Sequence, residues 1–273
     1  MAFIGLRKPI VAPRTGLGVY ETPFVFGKAI GITVNPSYAE GSLNADDVQI
    51  EYDKEFVSAE VGLNTNTIPK ESRTSVFGHK IEEDGEILFN ADDENGYVGM
   101  GWVSVEKVDG KKMFTGNFLH KVKFSEPNED YATKGENIEY KTPSITGRAV
   151  AEDTGDWKST KTFEKVVDAF NYIYKKMGYT LEKLDVKSAI GLTNGKTKIT
   201  VTPTKTGENT YVYKSGVDPQ MPYFDAVCSS GYTAWDGTEE IAAKTGEKIL
   251  IVEITKEKKA RKAGLASVTA KGE

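Results

Sequence analysis

Two strand-like runs joined by Asp109-Gly110 constrain this chain more than any other feature. The outgoing run reads Gly96-Tyr97-Val98-Gly99-Met100-Gly101-Trp102-Val103-Ser104-Val105, and the return reads Met113-Phe114-Thr115-Gly116-Asn117-Phe118-Leu119-His120-Lys121-Val122-Lys123-Phe124. An acidic loop follows, and the block closes on Lys141-Thr142-Pro143-Ser144-Ile145-Thr146-Gly147. The alternation predicts a long hairpin within Tyr97–Ile145. No catalytic residue types gather near it, so joining subunits is a better use for it than chemistry.

A second hairpin is predicted over Val48–Leu63. Asp47–Tyr52 and Phe56–Leu63 both alternate, with Asp53-Lys54-Glu55 read as the turn between them. Its apolar face would be Val48, Ile50, Tyr52, Ala59, Val61 and Leu63. The preceding Ala39–Ala45, with Gly41, Ser42 and Asn44, reads as a loop. A short helix is predicted near Pro69–Phe77, with Pro69 in its first turn. A longer one is predicted from Thr162 to Met177, capped by Thr162 and ended by Gly178. Phe163, Val166, Val167, Phe170, Ile173, Tyr174 and Met177 form its apolar stripe, as in a helix packed on a sheet.

Beyond a linker at Gly191-Leu192-Thr193-Asn194-Gly195, short strands return at Lys198–Thr202, Tyr211–Tyr213, Lys248–Ile254 and Ala266–Ala270. These suit a small β-sandwich. The predicted domains are therefore residues 1–191 and 192–273.

With 273 residues, 38% of them hydrophobic, the chain can bury one large core or two smaller ones. No run approaches the roughly 18 apolar residues of a membrane helix, so no membrane insertion is expected. Met1–Pro9 lacks the order of a signal peptide, and folding in the cytoplasm of the producing cell is expected. The net charge of −5 argues against gripping nucleic acid, while leaving DNA free to slide past.

Catalytic and ligand-binding patterns are weak. The lone Cys228 rules out an internal disulfide and a cysteine metal cluster, and reads as a small buried residue. His79 and His120 lie far apart and read as structural. Asn90–Gly96 lacks calcium-loop spacing, and Asp46-Asp47, Glu82-Glu83-Asp84, Asp92-Asp93-Glu94 and Glu239-Glu240 read as solvated turns. Gly96–Gly101 has the wrong spacing for a phosphate loop, so Gly99, Gly101 and Gly116 mark bends or close backbone contacts. No serine sits in a nucleophile elbow. No enzyme activity, metal or cofactor is expected. The basic run Lys256–Lys262 reads as a solvated hairpin tip, with contact to an anionic polymer as the alternative.

In order along the chain, Leu43–Asp47, Val76-Phe77-Gly78-His79, Gly96–Gly101, Phe124-Ser125-Glu126-Pro127, Thr142–Gly147 and the late helix resemble the major tail (tail tube) proteins of long-tailed phages infecting Gram-positive bacteria. The resemblance covers residues 1–190. Gly231–Gly237 and Lys259–Gly264 are similar to the Ig-like decoration domains that some of these proteins carry. It implies a mainly β fold: an antiparallel sandwich or barrel with a flanking α-helix, plus a small C-terminal Ig-like β-sandwich. It further implies a virion protein whose homohexameric rings stack into a tube, enclosing the tape measure protein and conducting DNA during ejection. Tail tip and tail terminator proteins would be further partners.

In that family two hairpins per subunit join those of their neighbours in an inner barrel. The resemblance assigns this role to Val48, Ile50, Tyr52, Val61, Leu63, Tyr97, Trp102, Phe114 and Phe118. Glu51, Asp53, Glu55 and Glu60 are the candidates for a DNA-repelling lumen. Glu126–Glu136 and Met1–Pro23 are the candidates for ring-to-ring contacts. A tube inside a contractile tail or tailocin is the nearest alternative. Glycan binding through Trp235, Tyr232 and Tyr223, or a glycosidase using Glu239 or Asp236, are the others.

Overall fold

The computed structural model describes residues 2–133 and 141–272. Met1 and residues 134–136, which belong to the two expected ring-contact segments, lie outside the described residues. The chain is mainly β and divides into two compact units, Met1–Gly178 and Tyr179–Glu273.

Unit 1 contains β1 (Ala2–Gly16), β2 (Val19–Tyr20), β3 (Phe24–Val25), β4 (Ala29–Ala45), β5 (Val48–Thr65), α1 (Lys70–Ser75), β6 (Lys80–Ile81), β7 (Ile87–Leu88), β8 (Tyr97–Val108), β9 (Lys111–Phe124), β10 (Ser144–Val150), β11 (Lys158–Phe163) and α2 (Val166–Lys176). Its main sheet runs β2-β1-β8-β9-β10-β5-β4, with β3 added to β1 and β11 to β9. All of these pairings are antiparallel. Among the described residues β4 pairs only with β5, so the sheet ends there and closes no barrel.

One face of this sheet packs on Val11, Phe26, Val61, Leu63, Phe77, Met100, Leu119, Val122, Phe124 and Ile145, all essentially buried. Burying each large side chain contributes about 1.5–3 kcal/mol before conformational entropy is counted. On the other face α2 lies against β8, β9 and β11, burying Ala169, Phe170, Ile173 and Tyr174. Its close approach needs glycine beneath it. A Cβ at Gly101 would lie 2.3 Å from Ile173 Cγ2, and one at Gly116 would lie 2.9 Å from the Ala169 carbonyl oxygen. The reading of Gly99, Gly101 and Gly116 as sites of close contact is thus borne out.

Three local expectations are corrected. The second hairpin does not turn at Asp53–Glu55: β5 runs straight through those residues, and Ala39–Ala45 is its partner strand, not a loop. The turn is Asp46-Asp47, whose φ values of 51° and 62° supply the two left-handed positions of a type I′ turn. The long helix begins at Val166, because Thr162 and Phe163 stay in β11, opposite Thr115 and Phe114. It ends as expected, with Gly178 at φ 86°. In the short helix Pro69 is the extended N-cap residue, outside the first turn.

Unit 2 holds β12 (Glu182–Lys183), β13 (Asp185–Ile190), β14 (Lys196–Thr202), β15 (Thr210–Gly216), β16 (Thr233–Trp235), β17 (Ile241–Ala242), β18 (Lys248–Ile254) and β19 (Ala260–Ser267). A five-stranded sheet, β12-β19-β18-β15-β16, faces a three-stranded one, β13-β14-β17. Val186, Ile199 and Ile241 from the smaller sheet share a core with Tyr211, Trp235, Ile249 and Ile251 from the larger. This is a small sandwich, antiparallel except where β12 runs parallel to β19.

The division falls at Gly178/Tyr179, not near residue 192. Gly191–Gly195 is the turn of the β13–β14 hairpin, held by Gly191 N–H on the Lys196 carbonyl, and so is internal to unit 2. The last strand ends at Ser267, not Ala270, and takes up Arg261 and Lys262 at the end of the basic run.

Candidate assembly interface

The outer half of the β4–β5 hairpin is an arm. Leu43, Val48, Ile50, Tyr52 and Val57 are each more than half exposed. Strands of this length reach about 3.3 Å per residue, so the nine residues from Ser37 to Ala45 carry the tip some 30 Å along the hairpin. Two bulges interrupt β5, where the register skips Ile50 and Val57. Such bulges bend and twist a strand locally.

Counting through the bulges separates two faces. Glu51, Asp53, Glu55 and Glu60 oppose Leu43, Gly41, Ala39 and Asn35, which are every second residue of β4 apart from Ser37. All four acids therefore share one face. The opposite face carries Tyr38, Glu40 and Ser42 beside Phe56, Lys54 and Tyr52. There Lys54 Nζ meets Glu40 Oε1 at 2.6 Å and lies 4.5 Å from the Tyr38 ring centroid. Their hydrogen bond lowers the Glu40 pKa and raises that of Lys54. Phe56 stacks on Trp157 at 4.5 Å and anchors the root of the arm to the body.

The residues proposed for inter-subunit hairpins therefore divide. Val48, Ile50 and Tyr52 stand on the arm, free to meet a neighbour. Val61, Leu63, Trp102 and Phe118 are corrected: all four are buried in unit 1, where they pack against residues of their own chain. Phe114 is half-buried, opposite Phe163 and under the Arg7 guanidinium. Tyr97 is partly exposed at the start of β8, with the ammonium groups of Lys121 and Lys123 at 4.9 and 5.7 Å from its ring.

The outer surface of the sheet beyond the reach of α2 was not singled out in the sequence. Tyr97, Lys123, Arg148, Glu60 and Asn35 form a single row across β8, β9, β10, β5 and β4. They line an open groove of about 960 Å³ together with Ser37, Ser58 and Thr146. The available signal was Thr146-Gly147-Arg148-Ala149-Val150, whose alternation places Arg148 opposite the buried Gly147 and Ala149.

Both histidine rings are held by side chains of their own chain. His79 is buried, with Nδ1 2.7 Å from Asp93 and Nε2 2.9 Å from Glu126, which also accepts from Arg73. His120 is half-buried with Nε2 on Ser159 Oγ, and burial lowers its pKa, reinforced by Lys176. In Asn90–Gly96, the Asn90 and Asp93 side chains accept backbone N–H groups of Asp92 and Asn90. Among the described residues no group of three or more His, Cys, Asp or Glu is placed to hold a metal.

In unit 2 Trp235 and Asp236, candidates for ligand binding or catalysis, are held by their own chain, while Tyr223 and Tyr232 are half-buried against the Val212, Leu250 and Val252 core. Trp235 is buried, packs on Tyr211 and donates Nε1–H to the Glu239 carbonyl. Asp236 accepts from the Thr238 and Glu239 N–H groups, which push its pKa down to about 2. Cys228 is buried, as expected, and burial raises its pKa. The basic run is an exposed hairpin tip at Lys256–Lys258, between β18 and β19 as expected, and most of its charges are paired. Lys259 and Arg261 pair with the buried Asp225, Lys262 pairs with the buried Glu253, and Lys256 pairs with Glu208.

No protein-family model matches this chain, and no curated protein matches it. Among solved structures, domains 7, 8 and 9 of the S-layer protein SbsC are similar at 15% identity, covering 93% of this chain and 69% of that one. The TM-score of 0.31 is too low for that likeness to bear on fold or function.

Proposed function

We propose that the chain is a self-assembling structural subunit of a phage tail tube, forming hexameric rings that stack into a hollow tube. The observation that carries this reading is the β4–β5 arm. It exposes Leu43, Val48, Ile50 and Tyr52, and β4 leaves one edge without a strand partner among the described residues. Exposed apolar side chains on an unpaired sheet edge favour a protein partner, and closure with copies removes the edge altogether.

In such a tube the tape measure protein would fill the channel during assembly, and tail tip and terminator proteins would cap its ends. The protein would be made in the host cytoplasm and reside in the virion. A tube within a contractile tail is the same assembly with a sheath outside it. The glycan-binding alternative loses its main support, since Trp235 is buried and most of the basic run is paired.

Negative-stain electron microscopy of the concentrated protein tests the reading. Rings or tubes with a central channel are expected. Monomers at every concentration, with and without tail-tip extract as nucleus, would overturn it.

A further inference from the structure

We infer that the arm of one copy docks, acid face down, in the cationic groove of a second copy of this chain. The inference rests on the self-assembly reading above and names the surface that receives the arm.

Two ends of one surface carry opposite charge. Glu51, Asp53 and Glu55 are exposed on the arm, and among the described residues none of them is in an ion pair. Lys123 and Arg148 are exposed in the groove on the same sheet face, equally without an ion pair among the described residues, and outnumber its one lining acid, Glu60. Lys121, one pleat along from Lys123, adds a third cation over Tyr97.

The spacing also matches. The acids recur every second residue along β5, about 6.7 Å apart, and Lys121 and Lys123 recur with the same period along β9. The acids stand roughly 13–26 Å along the hairpin from Glu60 in the groove, so the arm and groove of one chain are separate places. A surface negative at one end and positive at the other is complementary to a copy of itself. Gly41 and Ala39, the partners of Asp53 and Glu55, keep that part of the face low, while Leu43 beside Glu51 adds an exposed apolar contact for a groove of about 960 Å³.

Charge reversal with rescue tests this. One variant carries Glu51→Lys, Asp53→Lys and Glu55→Lys; another carries Lys123→Glu and Arg148→Glu. Both sets are exposed, and unchanged circular dichroism checks folding. Self-association, followed by sedimentation velocity over a concentration series, is expected to weaken about tenfold or more in each variant alone. Mixing the two variants should restore mixed assemblies to within about threefold of the wild type, and raising the salt from about 0.05 to 0.5 M should weaken the wild type.

Wild-type assembly unaffected by either reversal would overturn the inference and leave the tube reading standing. A wild type that is monomeric at every concentration and salt would overturn both. Loss of duplex-DNA retention by the groove variant alone, with association unchanged, would overturn it in favour of a polyanion site.

Discussion

The β4–β5 and β8–β9 hairpins share one construction and meet opposite fates. Both are long alternating strands closed by a two-residue turn at positive φ, Asp46-Asp47 in one and Asp109-Gly110 in the other. Yet β8–β9 is the centre of a sheet, flanked by β1, β10 and β11 and covered in part by α2. β4–β5 has β10 along its root only, and its outer half has no neighbour among the described residues. Alternation makes a strand two-sided; what packs on each side decides whether its apolar residues form a core or an interface.

The sharpest way to break the comparison is to empty the buried hairpin. Phe118→Ala removes a fully buried ring in edge contact with Tyr20, and about 3–5 kcal/mol of stability should go in urea unfolding. Loss under about 1 kcal/mol would mean that this hairpin is not packed as described. Next in size is Gly101→Val, whose Cβ would start 2.3 Å from Ile173 Cγ2. Displacing α2 should cost about 1–3 kcal/mol, read as a lower melting temperature.

A smaller effect should follow pH. Burial lowers the His120 pKa below its ordinary value of 6.5, so the unfolded chain binds a proton that the folded chain resists. That contribution to stability is whole above about 6.5 and is lost as pH falls below it. His120→Gln should flatten the slope of melting temperature against pH in that window, while an unchanged slope would place the titration elsewhere.

The least change in stability is expected on the arm. Tyr52→Ala should shift unfolding by no more than about 0.5 kcal/mol, because its ring is more than half exposed. Lys54→Ala should leave the melting temperature within experimental scatter, since its pair with Glu40 is open to solvent. Assembly should suffer in the first case. An arm substitution as costly as Phe118→Ala would remove the distinction between the hairpins.

Much of the framework was legible from local chemistry. Asp109-Gly110 marked its own turn, Gly178 ended α2, and Lys248–Ile254 matches β18 at both ends. The other turn was misplaced because Asp53-Lys54-Glu55 has turn composition, while cross-strand neighbours hold it extended: Lys54 on Glu40 and Phe56 on Tyr38. The candidate interface was half legible, since the acids were visible and the groove was not. Its row joins residues from Asn35 to Arg148, which only the strand register sets side by side.

By itself the sequence determined the mainly β character, the glycine sites of close approach and the helix that packs on the sheet, because turn preferences, side-chain periodicity and caps act over a few residues. The tertiary structure alone decided which alternating strand is core and which is arm. It also decided that Trp235 and Lys262 face inward, and that the acids share one face with Lys123 and Arg148. Those outcomes depend on partners far along the chain, as when Arg14 grips Glu152 or Lys262 meets Glu182 and Glu253. No local preference encodes a neighbour at that distance; only packing the whole unit selects it.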